Sequence, residues 1–168
     1  MPMRIRPIRI EGNIAYVTLT KGNEAIIDAE SAALVCMHNW YSKPDKHTSY
    51  AIRNETFGDR QIKIAMHRLI MQAKDGIFVD HINGNGVDNR KENLRLATRG
   101  ENARNQRISV ANTSGFKGVS WDKKTDTWQA AIMVNSKTVF LGRFPVLQDA
   151  CSAYRLASAD LHGDFGRV

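Results

Sequence analysis

Val79-Asp80-His81-Ile82-Asn83-Gly84-Asn85, followed by Asn89, Asn93-Leu94-Arg95, Asn102 and Asn105, decides how the centre of this chain folds. Ile77-Phe78-Val79 is a short apolar run suited to a strand, and Leu94-Arg95-Leu96-Ala97 returns as a second one. Residues 82–92 are then a polar loop between two hairpin arms, holding Gly84, Gly86 and three asparagines without apolar periodicity. Asn83, Asn85 and Asn89 fit there as loop formers that tolerate left-handed backbone. Thr98-Arg99-Gly100-Glu101 has the form of a capping box, opening a helix to about Arg107 with Asn102, Asn105 and Gln106 on one face. Hairpin and helix can thus fold their carboxamides back onto Asp80 and His81.

A carboxylate beside an imidazole suits one divalent metal with an adjacent general base, the minimal equipment for phosphodiester hydrolysis. A neutral imidazole with a pKa near 6.5 can take a water proton at physiological pH. A hard cation held by oxygen ligands such as Asp80 and the Asn102 carbonyl would keep positions open for phosphate and water. An Asp-His pair alone is commonly a surface pair or a turn; Asn93 and Asn102 at their spacings single this one out.

The bulk properties agree. The 168 residues carry net charge +7, from 24 Lys+Arg against 17 Asp+Glu. The excess concentrates in residues 61–108, with 9 basic against 5 acidic side chains, including Arg90, Lys91, Arg95, Arg99, Arg104 and Arg107. A basic cluster beside a candidate phosphodiesterase site points to a nucleic-acid partner. The two cysteines, Cys36 and Cys151, are too few for a four-cysteine structural zinc and read as reduced thiols. No apolar run approaches transmembrane length.

Residues 4–10 and 14–19 read as strands, and Asp28 reads as the cap of a helix presenting Ala32, Val35, Cys36 and Trp40. Ser49-Tyr50-Ala51-Ile52-Arg53 and Gln61-Ile62-Lys63-Ile64-Ala65 form a second strand pair, and His67-Arg68-Leu69-Ile70-Met71 a helical turn. His67 reads as structural, and His38, His47 and His162 have no partners at ligand spacing. Beyond a polar stretch at 109–113, strands are expected at 117–121, 128–134 and 138–144. An amphipathic helix follows from Leu147, with Ala150, Ala153, Tyr154, Ala157 and Leu161 on one stripe and Gly163 ending it.

Asp80-His81, Asn93-Leu94 twelve residues after the histidine, and Asn102 on the following helix resemble the HNH nucleases of the ββα-metal (His-Me finger) fold, in particular phage-type homing endonucleases. The resemblance covers about residues 67–107 and implies Asp80 and Asn102 as metal ligands and His81 as general base. Asn93 would fix the loop and orient the histidine ring. The implied cofactor is one divalent ion, Mg²⁺ or Mn²⁺, with no small-molecule cofactor. Arg68, Arg95, Arg99 and Arg104 are candidate DNA contacts.

Ser114-Gly115-Phe116-Lys117-Gly118-Val119, Trp128-Gln129-Ala130-Ala131-Ile132, Phe140-Leu141-Gly142-Arg143-Phe144 and Asp149-Ala150-Cys151-Ser152-Ala153-Tyr154 resemble the plant ethylene-response-factor DNA-binding domain. In that family a three-stranded antiparallel sheet enters the major groove with a helix behind it. Ser120, Ala131 and Met133 stand where the plant domains hold arginines and a glutamate, so the plant target does not carry over. Lys117, Lys123, Lys124, Lys137 and Arg143 remain candidate phosphate contacts, while Gln129 and Met133 alternate onto the face opposite Trp128, Ala130 and Ile132.

The expected protein is therefore α+β: an N-terminal β-rich extension (1–66), a ββα-metal nuclease motif (67–108), a linker (109–113) and a sheet-plus-helix DNA-binding domain (114–168). Its expected activity is metal-dependent, site-specific cleavage of double-stranded DNA, of homing type. A DNA-binding regulator with a vestigial nuclease motif is the alternative. By resemblance the protein would act in the cytoplasm of a host cell as a phage or prophage product, with no membrane partner.

Overall fold

The computed structural model describes residues 4–106, 108–109 and 111–166. The fold is α+β, built from several small antiparallel sheets, and separates into two compact units, Met1–Arg99 and Gly100–Val168. No helix among the described residues is long and apolar enough to cross a membrane.

In the first unit, β1 (Ile8–Glu11), β2 (Ile14–Thr18) and β3 (Glu24–Asp28) form one sheet in sequential order. Period-two alternation drives Ala15 and Val17 of β2, and Ala25 and Ile27 of β3, into the core. A second sheet joins β4 (Tyr41–Pro44), β5 (Ser49–Phe57) and β6 (Arg60–Ala65). The short helix α2 (Met66–Ile70) leads to the hairpin of β7 (Phe78–His81) and β8 (Leu94–Ala97). In that hairpin Asp80 lies opposite Arg95, and His81 opposite Leu94.

One apolar core spans these pieces. Val17, Leu19, Ile27, Val35, Trp40 and Met66 pack in the same cluster as Val79 of β7 and Leu94 of β8. The sequence-based segments 1–66 and 67–108 thus share a core as far as Leu94. The helix expected from Asp28 is a correction. Residues 24–28 continue the first sheet, only Ala32–Val35 forms an α-helical turn (α1), and Trp40 lies beyond it. Trp40 is still core, 1 % exposed, with its indole N–H donating to the Val35 carbonyl. Asp28 makes no side-chain cap; its Oδ2 accepts the Lys91 amide at 2.8 Å.

The helix expected to reach about Arg107 is α3 (Arg99–Arg104); Arg107 itself lies outside the described residues. In the second unit β9 (Val119–Asp122), β10 (Thr127–Val134) and β11 (Lys137–Phe144) form an antiparallel sheet with β10 in the middle. The register shifts between Ala130 and Ala131, where β10 pairs first with Gly142 and then with Phe140. Helix α4 (Leu147–His162) packs on this sheet, and Val119, Ala130, Ile132, Ala150, Cys151 and Tyr154 form the core. The inward stripe of α4 drifts from expectation. Leu161 is 40 % exposed, whereas Ser158 and His162 turn inward at i+4 spacing from Tyr154. His162 Nε2 lies 2.9 Å from the Met133 carbonyl, which gives this buried ring a partner on β10.

Gly118 is where this small core is tightest. Its φ is +68°, and a Cβ there would fall 2.1 Å from Tyr154 Cε2 and 2.5 Å from the Ala131 carbonyl oxygen. Gly115, at φ +77°, has open space around the same position. Gly118→Ala is expected to lose about 2–4 kcal/mol, from clash plus backbone strain. Gly115→Ala should lose only the strain, about 1 kcal/mol. Denaturant unfolding of the full chain measures both, and equal losses would contradict the packing described for Tyr154.

Candidate functional site

The end of β7 brings Asp80 and His81 into the interior at 5 % exposure each. A buried carboxylate needs a compensating charge. Arg95, its cross-strand neighbour, donates to Asp80 Oδ2 from Nε at 2.8 Å and from Nη2 at 2.7 Å. Arg95, expected as a DNA contact, is therefore largely buried in an ion pair with the candidate metal ligand.

The loop after His81 buries polar groups and satisfies them with carboxamides. Asn93 Nδ2 donates to the Asp88 carbonyl at 2.8 Å and to Asn83 Oδ1 at 3.0 Å. Asn93 Oδ1 in turn accepts the Asn83 amide at 3.0 Å. Asp88, 3 % exposed, takes Asn83 Nδ2 and a two-pronged grip from Arg90, Nε to Oδ1 and Nη2 to Oδ2, both 2.8 Å. Arg90 first, then Asn83, hold the Asp88 carboxyl below the usual carboxylate range. Gly84 takes the positive φ (+72°) that the turn requires, its amide bonding to the His81 carbonyl.

The N-terminal sheet holds this loop from outside. Ile26 donates to the Val87 carbonyl at 2.8 Å and accepts the Asn89 amide at 2.7 Å, a parallel bridge with Asp88. On the other side the Gly86 amide donates to Thr48 Oγ1 at 2.8 Å. A Cβ at Gly86 would fall 2.6 Å from the Ser49 carbonyl oxygen and 2.7 Å from the Tyr50 ring, so only glycine permits this approach.

The His81 ring is boxed in. His67 of α2 meets it at 5.0 Å between centroids, near-perpendicular at 81°, and Tyr50 of β5 at 5.8 Å. Tyr50 and His67 also touch, at 5.7 Å. Nε2 of His81 lies 3.1 Å from Oδ1 of Asn89, which is fully buried. Burial lowers the His81 pKa, opposed by the Asn89 bond and by Asp80 and Asp88. His67 falls further, to about 3, through burial first, then His81 and Arg68. It remains neutral beside the candidate base. Burial, with Asp45 and Asp80, raises the Tyr50 phenol.

The other expected site residues fall as follows. Asn102 is half-buried on α3, Asn105 buried, Arg99 exposed and Arg104 half-buried. The guanidinium of Arg68 donates to the Ile77, Ala73 and Lys74 carbonyls, bracing the turn before β7. Lys117 Nζ donates to the Arg104 and Gln106 carbonyls at the end of α3. Lys123 and Lys124 are exposed on the turn between β9 and β10, Met133 of β10 and Lys137 of β11 are exposed, and Gln129 is half-buried opposite Arg143. Arg143 lies 3.6 Å from Asp122.

Asn89 and Tyr50 are the partners of His81 that local sequence pattern does not single out. Asn89 was legible only as one loop asparagine among three. Tyr50 lies on a strand far away in sequence, where no local pattern links it to His81.

The chain is similar in sequence to known proteins. The profile of the HNH endonucleases matches residues 65–104, from the end of β6 to the end of α3. Protein 3.8 of Escherichia phage T7 is 36 % identical over 92 residues, which are 55 % of this chain and 75 % of that protein. An uncharacterized HNH endonuclease, L560, of Acanthamoeba polyphaga mimivirus is 29 % identical over 159 residues, 91 % of this chain and 80 % of that protein. No solved structure gives a significant match.

His67 generates a stability prediction. Its folded pKa lies below the unfolded value near 6.5, so the unfolded chain binds the proton first and stability falls as pH drops from about 6.5 toward 3. This one group accounts for up to ~1.4 kcal/mol per pH unit in that window. His67→Phe, which keeps a ring but cannot protonate, should lose less stability between pH 7 and pH 4.5 than the wild type. Equal acid sensitivity in urea unfolding would show that His67 is not held neutral.

Proposed function

Because the chain belongs to the HNH endonucleases, which hydrolyse phosphodiester bonds, we propose that it is a metal-dependent, site-specific DNA endonuclease of homing type with His81 as its general base. The observation that carries the proposal is the buried Asp80-His81 pair at the end of β7, with the imidazole hydrogen-bonded to Asn89 and walled by two rings. His81 takes the proton of the attacking water, and burial favours the neutral ring that this step needs. Asn93 holds the loop through Asn83 and Asp88 and so keeps Asp80 and His81 at their stations.

Asp80 and, by its place in the motif, Asn102 are the proposed ligands of one divalent ion, Mg²⁺ or Mn²⁺. The donor chemistry fits: both offer hard oxygens, and Asp80 already compensates a cation, Arg95. When bound, the ion would supply charge neutralisation at the phosphoryl oxygens and support for the leaving oxygen.

The second unit is the proposed targeting module, a sheet backed by one helix as in the ethylene-response-factor domains. Gln129, Met133, Lys137 and Arg143 on the sheet, with Lys123 and Lys124 on its first turn, are the proposed DNA contacts, joined by Arg99 and Arg104 of α3. Arg68, Arg95 and Lys117, the remaining basic candidates for DNA contact, also hydrogen-bond within the protein.

His81→Ala should lower cleavage of duplex DNA by about 10²–10⁴-fold while leaving duplex affinity nearly unchanged. Asp80→Ala or Asn102→Ala should raise the metal concentration needed for half-maximal cleavage. Chelation should stop cutting without unfolding the chain. Wild-type cutting by His81→Ala in a nicking assay would remove the assigned base, and metal-independent cutting would remove the assigned ligands.

A further inference from the structure

The residue that holds the His81 ring is legible in the hydrogen-bond chemistry of Asn89. This side chain is 0 % exposed, so its amide and carbonyl ends must each face a suitable partner. Its Nδ2 lies 3.3 Å from the Val87 carbonyl and 3.6 Å from Met66 Sδ, two groups that can only accept. The carboxamide is therefore oriented with its NH₂ toward them and its Oδ1 toward His81. That oxygen in turn can only accept, so the ring nitrogen facing it, Nε2 at 3.1 Å, must carry a hydrogen. In a neutral imidazole the lone pair then resides on Nδ1.

The backbone of Asn89 is itself fastened. Its amide donates to Ile26 of β3 at 2.7 Å, within the bridge that joins the loop to the N-terminal sheet. His67 and Tyr50 limit the tilt of the His81 ring from α2 and β5. Asn93 has other duties: both of its N–H groups and its oxygen engage Asn83 and Asp88.

We propose that Asn89 is the positioning residue of the general base, fixing His81 in the Nε2–H tautomer so that Nδ1 takes the water proton. The role of the ring as base is the one assigned above; the tautomer follows from the orientation of the Asn89 carboxamide. Residues 1–66 then help to position the base, because β3 fastens Asn89 and Tyr50 of β5 confines the ring that it holds.

The test is nitrogen-15 imidazole NMR of the full chain at mildly alkaline pH, with steady-state cleavage kinetics in parallel. Wild-type His81 is expected as one Nε2–H tautomer. Asn89→Ala should give mixed tautomers and a fall in kcat of about 10–100-fold, the range for lost outer partners of functional histidines, with KM nearly unchanged. Asn89→Asp retains an acceptor and should retain the tautomer. A wild-type Nδ1–H tautomer overturns the proposal without needing any variant to fold. So does an Asn89→Ala protein with an unchanged tautomer or wild-type kcat. Undiminished cutting by His81→Ala would instead overturn the base assignment and leave the tautomer result standing, so the two failures are distinguishable.

Discussion

Residues 83–93 bring buried carboxamides and a carboxylate into a loop with almost no apolar side chains, so hydrogen bonding must hold what packing cannot. Asn93 closes that loop on Asn83 and Asp88, Arg90 neutralises Asp88, and Ile26 takes up the backbone on either side of it. Each unmade bond of this kind costs about 1–3 kcal/mol when the group stays buried, so a half-satisfied loop would not persist. Asp80 and His81 are stationed at the end of β7 because the segment that follows them has one arrangement.

The same economy of partners governs charge. Asp80 can be buried because Arg95 faces it across the hairpin. His67 can sit 5.0 Å from His81 because burial keeps it uncharged, so it adds no charge of its own beside that ring. In the second unit Lys123, Lys124 and Lys137 are exposed, while Arg68 and Lys117, equally basic in sequence, are drawn to backbone carbonyls.

The hairpin flanking Asp80-His81 and the sheet-plus-helix character of the C-terminal unit were legible in sequence, because short apolar runs bounded by Gly and Asn leave few alternatives. Residues 24–28 were not. Glu24-Ala25-Ile26-Ile27-Asp28 is too short to declare its period, and its strand character comes from pairing with β2. The α4 stripe misled at its end because Ser158 and His162, polar in sequence, are the buried residues there while Leu161 is exposed. In the site, Asp80, His81 and Asn93 stood out by spacing. The contribution of Asn89 depends on which end of its carboxamide faces His81, and that of Tyr50 on contacts across some thirty residues; neither leaves a local trace.

The Asn93 hydrogen bonds hold the loop that follows His81, and amide hydrogen exchange in Asn93→Ala measures that hold. The Asn83, Asn89 and Ile26 amides should lose protection while those of the β1–β2 pairing retain it. Metal-dependent cleavage should fall by at least about 100-fold in the same protein, as for a lost general base. Wild-type protection at Asn83 and Asn89 together with wild-type cleavage would contradict the claim that this loop holds the site.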